Sequence, residues 1–524
     1  MAEIKYTASQ KDAISYRGGN VLVSAAAGSG KTSVLSQRVC ELVKEGQDIR
    51  RMLIVTFTQK ASQEMRKRIR KTLSEAAENE NRPQLAIQAE MTDSSDICTI
   101  HSFAGKVLRE NFSVLGLPSD IHAVSDETIG VYRSEAYDEL FERLYQEEDP
   151  SFLRFRDRYS GRDEKELVSI IEKAYNFVRS QPEGVEWIRK NRGLDREKYI
   201  SIAREKTRNQ LLLLQSMLED SLELSINESY PEKQISNDML DKPFAEDLIR
   251  LFDEGSYEQY MKLLQSYKIP AIFRVKKGEE VPPEKETLSE MKKKARDLLR
   301  DLASSDINEI GNMIDAELPY INETVDDLYH ILSAYDEQYS AIKMEHHAFD
   351  YDDMLHFAYK ALSDDMIASR YSSFYDHVFI DEYQDTNPLQ EALLNRIEPS
   401  GGRFMVGDMK QSIYRFRLTD PTIFRSKTQN GGSIHLIKMN ENFRCDGQII
   451  DFINHVMSNL MGPELGEIVY DDEERLIGTG DRDKDSVELM LTAVPKKNAV
   501  ISTELEAINI AGRITSASSF RILT

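Results

Sequence analysis

The chain has 524 residues, which at roughly 150 residues per domain implies about three or four domains. Its 67 Lys+Arg against 90 Asp+Glu give a formal net charge of −23. That excludes a uniformly basic nucleic-acid coat but leaves room for a local basic groove on an acidic body. With 40% hydrophobic and 8% aromatic residues, it can build packed cores and is not a disordered polymer.

The amino-terminal stretch MAEIKYTASQKDA is charged and lacks an apolar h-region, so no signal peptide is expected. No run of about 18 apolar residues occurs, so no membrane helix is expected either. Cys40, Cys98 and Cys445 are too far apart for a metal spacing or a disulfide framework, which fits a reducing cytosol.

In chain order, Val21 to Ser24 reads as a short buried strand, and the glycine loop after it opens a helix carrying Val34, Leu35, Val39 and Leu42. Met52 to Phe57 is a second strand, Ala61 to Leu73 a helix, and Ile97 to Ile100 a third strand. Strands alternating with helices predict a parallel α/β sheet. From about Asn111 to His347 the pattern becomes long, charged and helical, as in SFLRFRDRYSG and YISIAREKTRNQLLLLQSMLEDSLEL. Pro282-Pro283 marks a loop between Gly278 and Glu286. The buried strands HVFI (His377 to Ile380) and RFMVGD (Arg403 to Asp408) then restore the α/β pattern. One α/β domain interrupted by a helical insertion accounts for this order. After about Gly431 a third region starts, with a strand over Val487 to Val494 and a helix over Glu504 to Ile514. The chain stops in SSFRILT, which resembles the start of another strand and reads as a truncation.

AAAGSGKT, Ala25 to Thr32, follows a strand and precedes a helix, the context a phosphate-binding loop requires. Ala25, Ala26, Ala27 and Ser29 complete the loop around Gly28 and Gly30, whose freedom lets backbone N–H groups curl around phosphate oxygens. Lys31 supplies charge to the β- and γ-phosphates, and Thr32 a hydroxyl to Mg2+. Upstream in YTASQ, the Gln10 amide has the donor and acceptor needed to read adenine; the segment reads equally as a helix start capped by Thr7 or Ser9.

Asp381 and Glu382 end a buried strand, where two acids are costly unless they serve a cation or a reaction. Asp381 suits Mg2+ and Glu382 the attacking water. Gln411 can touch the γ-phosphate. Tyr414, Phe416 and Arg417 mix aromatic faces with charge, as single-strand stacking platforms do, although the aromatics alone also read as core. Arg444 is a candidate arginine finger, or a surface charge. Lys276, Lys277, Lys292, Lys293, Lys294 and Arg296 form a basic stretch; neighbouring Glu279, Glu280, Glu284 and Glu286 favour a solvated helix face.

The ordered set YTASQ, AAAGSGKT, TFTQKASQEM, TIHSF, FDYDDML, IDEYQDTN, GDMKQSIYRFR and ENFR resembles the UvrD-like branch of superfamily 1 DNA helicases. Within that branch KQSIYRFRLTDPTIF and NVLVSAAAGSGKTSVLSQRV resemble the AddA helicase–nuclease subunits of AddAB complexes, with RecB a near relative. The resemblance implies two RecA-like domains with ATP and Mg2+ between them. Residues 1–110 and 348–430 would form the first domain, 111–347 its helical insertion, and 431–524 the start of the second. Gln10 would read adenine, the loop through Thr32 would hold the phosphates, and Gln411 and Arg444 would meet the γ-phosphate. Phe57, His101, Tyr414, Phe416 and Arg417 would line the DNA track, with Phe416 where relatives often carry Trp.

The implied activity is 3′→5′ unwinding of DNA ends for double-strand-break repair and recombination. The implied partners are single-stranded and duplex DNA and an AddB-type subunit, without a membrane, in a bacterial cytoplasm. The family's later helicase motifs and AddA's nuclease domain have no room between Arg444 and Thr524. A UvrD/PcrA-like helicase without nuclease, and an inactive nucleotide- and DNA-binding fragment, are the alternatives.

Overall fold

The computed structural model describes residues 5–160, 164–193, 196–228, 230–273, 284–304, 307–429, 432–462, 468–480, 487–488, 507–508 and 510–512. Lys276, Lys277, most of the loop at 278–286, and most of the strand and helix expected after 487 lie outside these residues. Two compact units emerge, one of residues 1–130, 179–182 and 343–524, the other of 131–178 and 183–342.

The first unit is built on six strands: β1 (Asn20–Ala25), β2 (Met52–Thr56), β3 (Asp96–Thr99), β4 (His377–Ile380), β5 (Arg403–Gly407) and β6 (Ile434–Met439). They pair in the order β3-β2-β4-β5-β1-β6, every pair parallel. Side chains of successive residues point to opposite faces, and here both faces are apolar. Val21, Val23, Met52, Ile54, Phe379, Phe404 and Val406 pack on one side. Leu22, Leu53, Val55, Val378, Ile380 and Met405 pack on the other. Burial on both faces is why these strands read as continuous apolar runs.

Polar caps start the helices that follow the strands. Thr58 accepts from Ala61 N at 3.1 Å, Thr99 from Ser102 N at 3.2 Å, and Asn387 from Gln390 N at 2.8 Å. All these turns lie at the carboxyl ends of the strands, where parallel sheets assemble their ligand sites.

The sequence reading opened a second domain at 431, yet β6 pairs with β1 from Asn20↔Ile434 to Ala25↔Met439. The sheet of the first unit therefore continues through Met439. The helical region is also not one uninterrupted insertion from 111 to 347. Residues 179–182 return to the first unit. There the Arg179 guanidinium meets Asp353 at 2.7 Å and Leu389 N donates to Ser180 O at 2.9 Å.

His356 lies against this return, its Nε2 2.9 Å from the Arg179 carbonyl. Burial, with the nearby Arg179 charge, pushes the imidazole down from 6.5 to about 3. Between those pH values the unfolded chain binds a proton that the folded chain does not, so this group's contribution to stability falls as pH drops through the window. His377, lowered mainly by burial, acts with the same sign. His356→Gln should flatten the acid side of the stability profile, measured by thermal melts between about pH 7 and pH 4.

The second unit is helical. Its long helices include Arg196–Asn227, Glu232–Asp253 and Lys285–Ser304, which share a core of Leu211, Leu214, Leu218, Phe244, Leu248 and Leu299. Lys293 and Lys294 are exposed, as a solvated face requires, but Lys292 is fully buried. It falls on the stripe Leu288, Ala295, Leu299, Leu302 that faces the core. Its ammonium meets Asp238 at 2.8 Å and also Asp241, all three side chains being inaccessible to water. The expectation of a wholly solvated basic face is corrected at this position.

Candidate nucleotide and DNA site

The loop after β1 ends in two left-handed glycines, Gly28 at φ +73° and Gly30 at φ +87°, a region that residues bearing a Cβ rarely enter. A Cβ at Gly28 would lie 2.7 Å from Asn442 Nδ2 and 3.0 Å from Arg444 Cβ. The loop is held from both sides. Gln10 Nε2 donates to Ser29 O at 2.9 Å, Asn442 Nδ2 to Ala27 O at 2.7 Å, and Phe443 N to Gly28 O at 3.0 Å. Asn442 Oδ1 in turn accepts from Arg444 N and Cys445 N, each at 2.9 Å. Both readings of Gln10 meet in one residue: it closes a capping box with Thr7 and reaches the loop.

Lys31 and Thr32 open the helix Lys31–Lys44. The Lys31 ammonium lies 3.4 Å from Glu382 Oε2 and 3.0 Å from Gln411 Oε1. Three residues far apart in sequence thus meet beyond the ends of β1, β4 and β5. Glu382 is in the left-handed region at φ +52°, where a non-glycine side chain is uncommon and such conformations cluster at functional sites. Burial, reinforced by the Glu382 charge, pushes the Asp381 carboxyl up to about 6.

Sequence reasoning missed the residues that hold this group. Asp408 Oδ2 accepts from Gln411 Nε2 at 2.7 Å. Gln384 donates from Nε2 to Glu382 Oε2 at 2.8 Å, and its Oε1 accepts from Asp408 N at 2.9 Å. Their signal was position alone: each stands within two or three residues of a singled-out side chain at a strand end.

These donors fit a metal-bound nucleoside triphosphate. Ser29 Oγ is buried and has no hydrogen-bond partner among the described residues, and the glycines leave the loop backbone open to close approach. Among the described residues no group of three or more His, Cys, Asp or Glu forms a protein-only metal cage. Mg2+ held largely by phosphates needs only one or two carboxylates, the number that Asp381 and Glu382 offer, with Thr32 beside them. Arg444 is exposed, its stem against Gly28.

The predicted DNA residues gather on the neighbouring strand ends. Phe57 stacks on Tyr414 at 4.9 Å, and Tyr414 lies 5.8 Å from Phe416. The Arg417 guanidinium sits 5.0 to 5.9 Å from all three ring centroids. Phe416 is 76% exposed, so it is not core. His101 stands apart from this cluster, edge-on to Tyr351 at 5.6 Å, and burial lowers its pKa. Phe57, His101, Tyr351 and Arg417 nevertheless line one cavity of about 450 Å³.

The family model for the UvrD/REP helicase N-terminal domain matches residues 6–431. The chain belongs to the UvrD/REP helicase family. The match takes in all six strands except β6, and every site residue except Arg444. Among its relatives, the AddA protein of Syntrophomonas wolfei, named as an ATP-dependent helicase/nuclease, is 32% identical over 495 residues, 90% of this chain and 39% of that protein. The proteins of the same name from Alkaliphilus oremlandii and Clostridioides difficile are 30% and 31% identical, over 90% and 91% of this chain and 41% and 40% of their own lengths. The chain thus spans about two-fifths of the length of these relatives. No helix among the described residues is long and apolar enough to cross a membrane.

Proposed function

We propose that the chain is the ATP-driven motor portion of an AddA-type 3′→5′ DNA helicase. It would work with an AddB-type partner and a nuclease on double-strand-break ends during recombination, in the bacterial cytoplasm. The observation that carries this reading is the meeting of Lys31, Glu382 and Gln411 beside the glycine loop, next to an exposed aromatic and arginine cluster. Names borne by relatives of 30 to 32% identity support the AddA assignment.

Bound Mg-ATP supplies the γ-phosphoryl group whose transfer to water releases the free energy for movement. In the RecA-like arrangement proposed for this P-loop, Gly28, Ser29 and Gly30 present backbone donors to phosphate oxygens, and Lys31 adds a point charge. Asp381 and Thr32 hold the metal's water shell. Glu382 orients and deprotonates the attacking water. Gln411, tied to Asp408, faces the γ-phosphate end of Lys31, and Arg444 stabilises the charge that develops there. Gln10 reads adenine. Phe57, His101, Tyr414, Phe416 and Arg417 grip single-stranded DNA by stacking and charge.

Phe416→Ala tests the strand track. It should weaken single-strand binding by about 1–3 kcal/mol with little sequence preference, and leave DNA-free ATP affinity unchanged. Fluorescence anisotropy with labelled oligonucleotides reads the first and a nucleotide titration the second. Unchanged strand affinity in the folded variant removes Phe416 from the track.

A further inference from the structure

The strand-side cavity contains two polar groups that the stacking account leaves unused. Asp385 and Thr419 line it, only 5% and 7% exposed. Asp385 Oδ1 and Thr419 Oγ1 are buried with no hydrogen-bond partner among the described residues. A buried acceptor without a donor costs free energy, so both atoms favour an occupant that brings one. A carboxylate facing the cavity repels phosphate. The group that suits it is an N–H edge of a nucleobase, while Arg417 at the cavity wall can meet the phosphate backbone.

A second observation links this cavity to the nucleotide side. Gln384 Nε2 lies 2.8 Å from Glu382 Oε2 and 3.4 Å from Asp385 Oδ2. One amide is therefore shared between the carboxylate proposed to activate water and the carboxylate at the cavity. Asp385 N also donates to Glu382 O at 2.9 Å, and Gln384 Oε1 is pinned by Asp408 N at 2.9 Å.

We propose that Asp385 is a positioning residue that reads a nucleobase N–H in the cavity and, through Gln384, sets the position of Glu382. A donor on Asp385 Oδ1 satisfies part of that carboxylate's charge and loosens its hold on the Gln384 amide. The amide then settles on Glu382 and fixes it over the loop. Occupancy by a strand is thereby felt at the hydrolytic carboxylate. The inference rests on the DNA-motor reading above.

The test compares ATP hydrolysis by the native protein without DNA, with a saturating single-stranded oligonucleotide, and with a saturating abasic strand of equal length. Saturation removes differences in stacking affinity. The base-bearing strand should stimulate about tenfold more than the abasic strand, the size expected for a hydrogen bond to a charged group. In Asp385→Asn that advantage should shrink to about one, with Asp385→Ala as a second variant should the first fail to fold. A merely structural role would lower both strands' rates together and leave their ratio untouched. Retention of the advantage in either folded variant overturns the proposal, as does equal stimulation by both strands in the unaltered protein. If neither strand stimulates the unaltered protein, the DNA-motor reading falls first.

Discussion

Glu382→Gln is expected to lower ATP turnover by about 10²–10⁴-fold, the usual worth of a general base, while Mg-ATP still binds. The isosteric amide keeps the hydrogen bonds from Gln384 and Lys31 within reach but cannot take the proton of water. Lys31→Ala should act differently. It removes the one ammonium facing both Glu382 and Gln411, so nucleotide affinity falls together with turnover. Steady-state hydrolysis with and without single-stranded DNA, beside titration of a fluorescent nucleotide, separates the two. Near-normal turnover in Glu382→Gln would transfer the base to another group; unchanged affinity in Lys31→Ala would unseat the phosphate-binding role of the loop.

Lys292→Ala should destabilise the helical unit by about 3–5 kcal/mol, the usual cost of breaking a buried ion pair from one side. The lysine serves two inaccessible carboxylates, Asp238 and Asp241, one helical turn apart on Glu232–Asp253. Gln234 donates to Asp238 at 2.7 Å, Ser225 also donates to Asp238, and Tyr267 donates to Asp241. These donors are neutral and cannot replace the charge. Converting all three charged residues together, as Lys292→Met with Asp238→Asn and Asp241→Asn, should recover much of the loss, because no lone charge remains buried. Denaturant unfolding followed by protease digestion across 196–304 reads both results. An alanine variant as stable as the parent would show that the acids are neutralised by some other route.

Much of this architecture was legible because burial on both faces of a parallel sheet leaves uninterrupted apolar runs. HVFI and RFMVG needed no periodicity to be seen. β6 escaped notice for the opposite reason: at the sheet edge it carries His435 and Lys438 among its apolar residues. The glycine loop and the Asp381–Glu382 pair announced themselves through chemistry at a strand end. Gln384, Asp385 and Asp408 did not, since a carboxylate or amide beside a motif carries no sign of its partner until the chain folds. Lys292 misled because charge outweighed register in the reading of KKKAR, although spacing from Leu288 placed it on the buried stripe. The short return at 179–182 lies inside a helical stretch, where nothing in RSQP distinguishes a crossing from an ordinary loop.

That return sets a rule for anyone wishing to pare the protein down. The chain passes between its two units four times, at 130/131, 178/179, 182/183 and 342/343. A minimal motor made by splicing Gly130 directly to Lys343 would discard four residues that belong to the part being kept. The guanidinium on Asp353 would vanish, leaving Lys343 to serve both Asp350 and Asp353. The imidazole of His356 would lose its carbonyl, and Leu389 N the carbonyl of Ser180. A workable graft needs two seams rather than one, with Arg179–Pro182 retained between them as a staple.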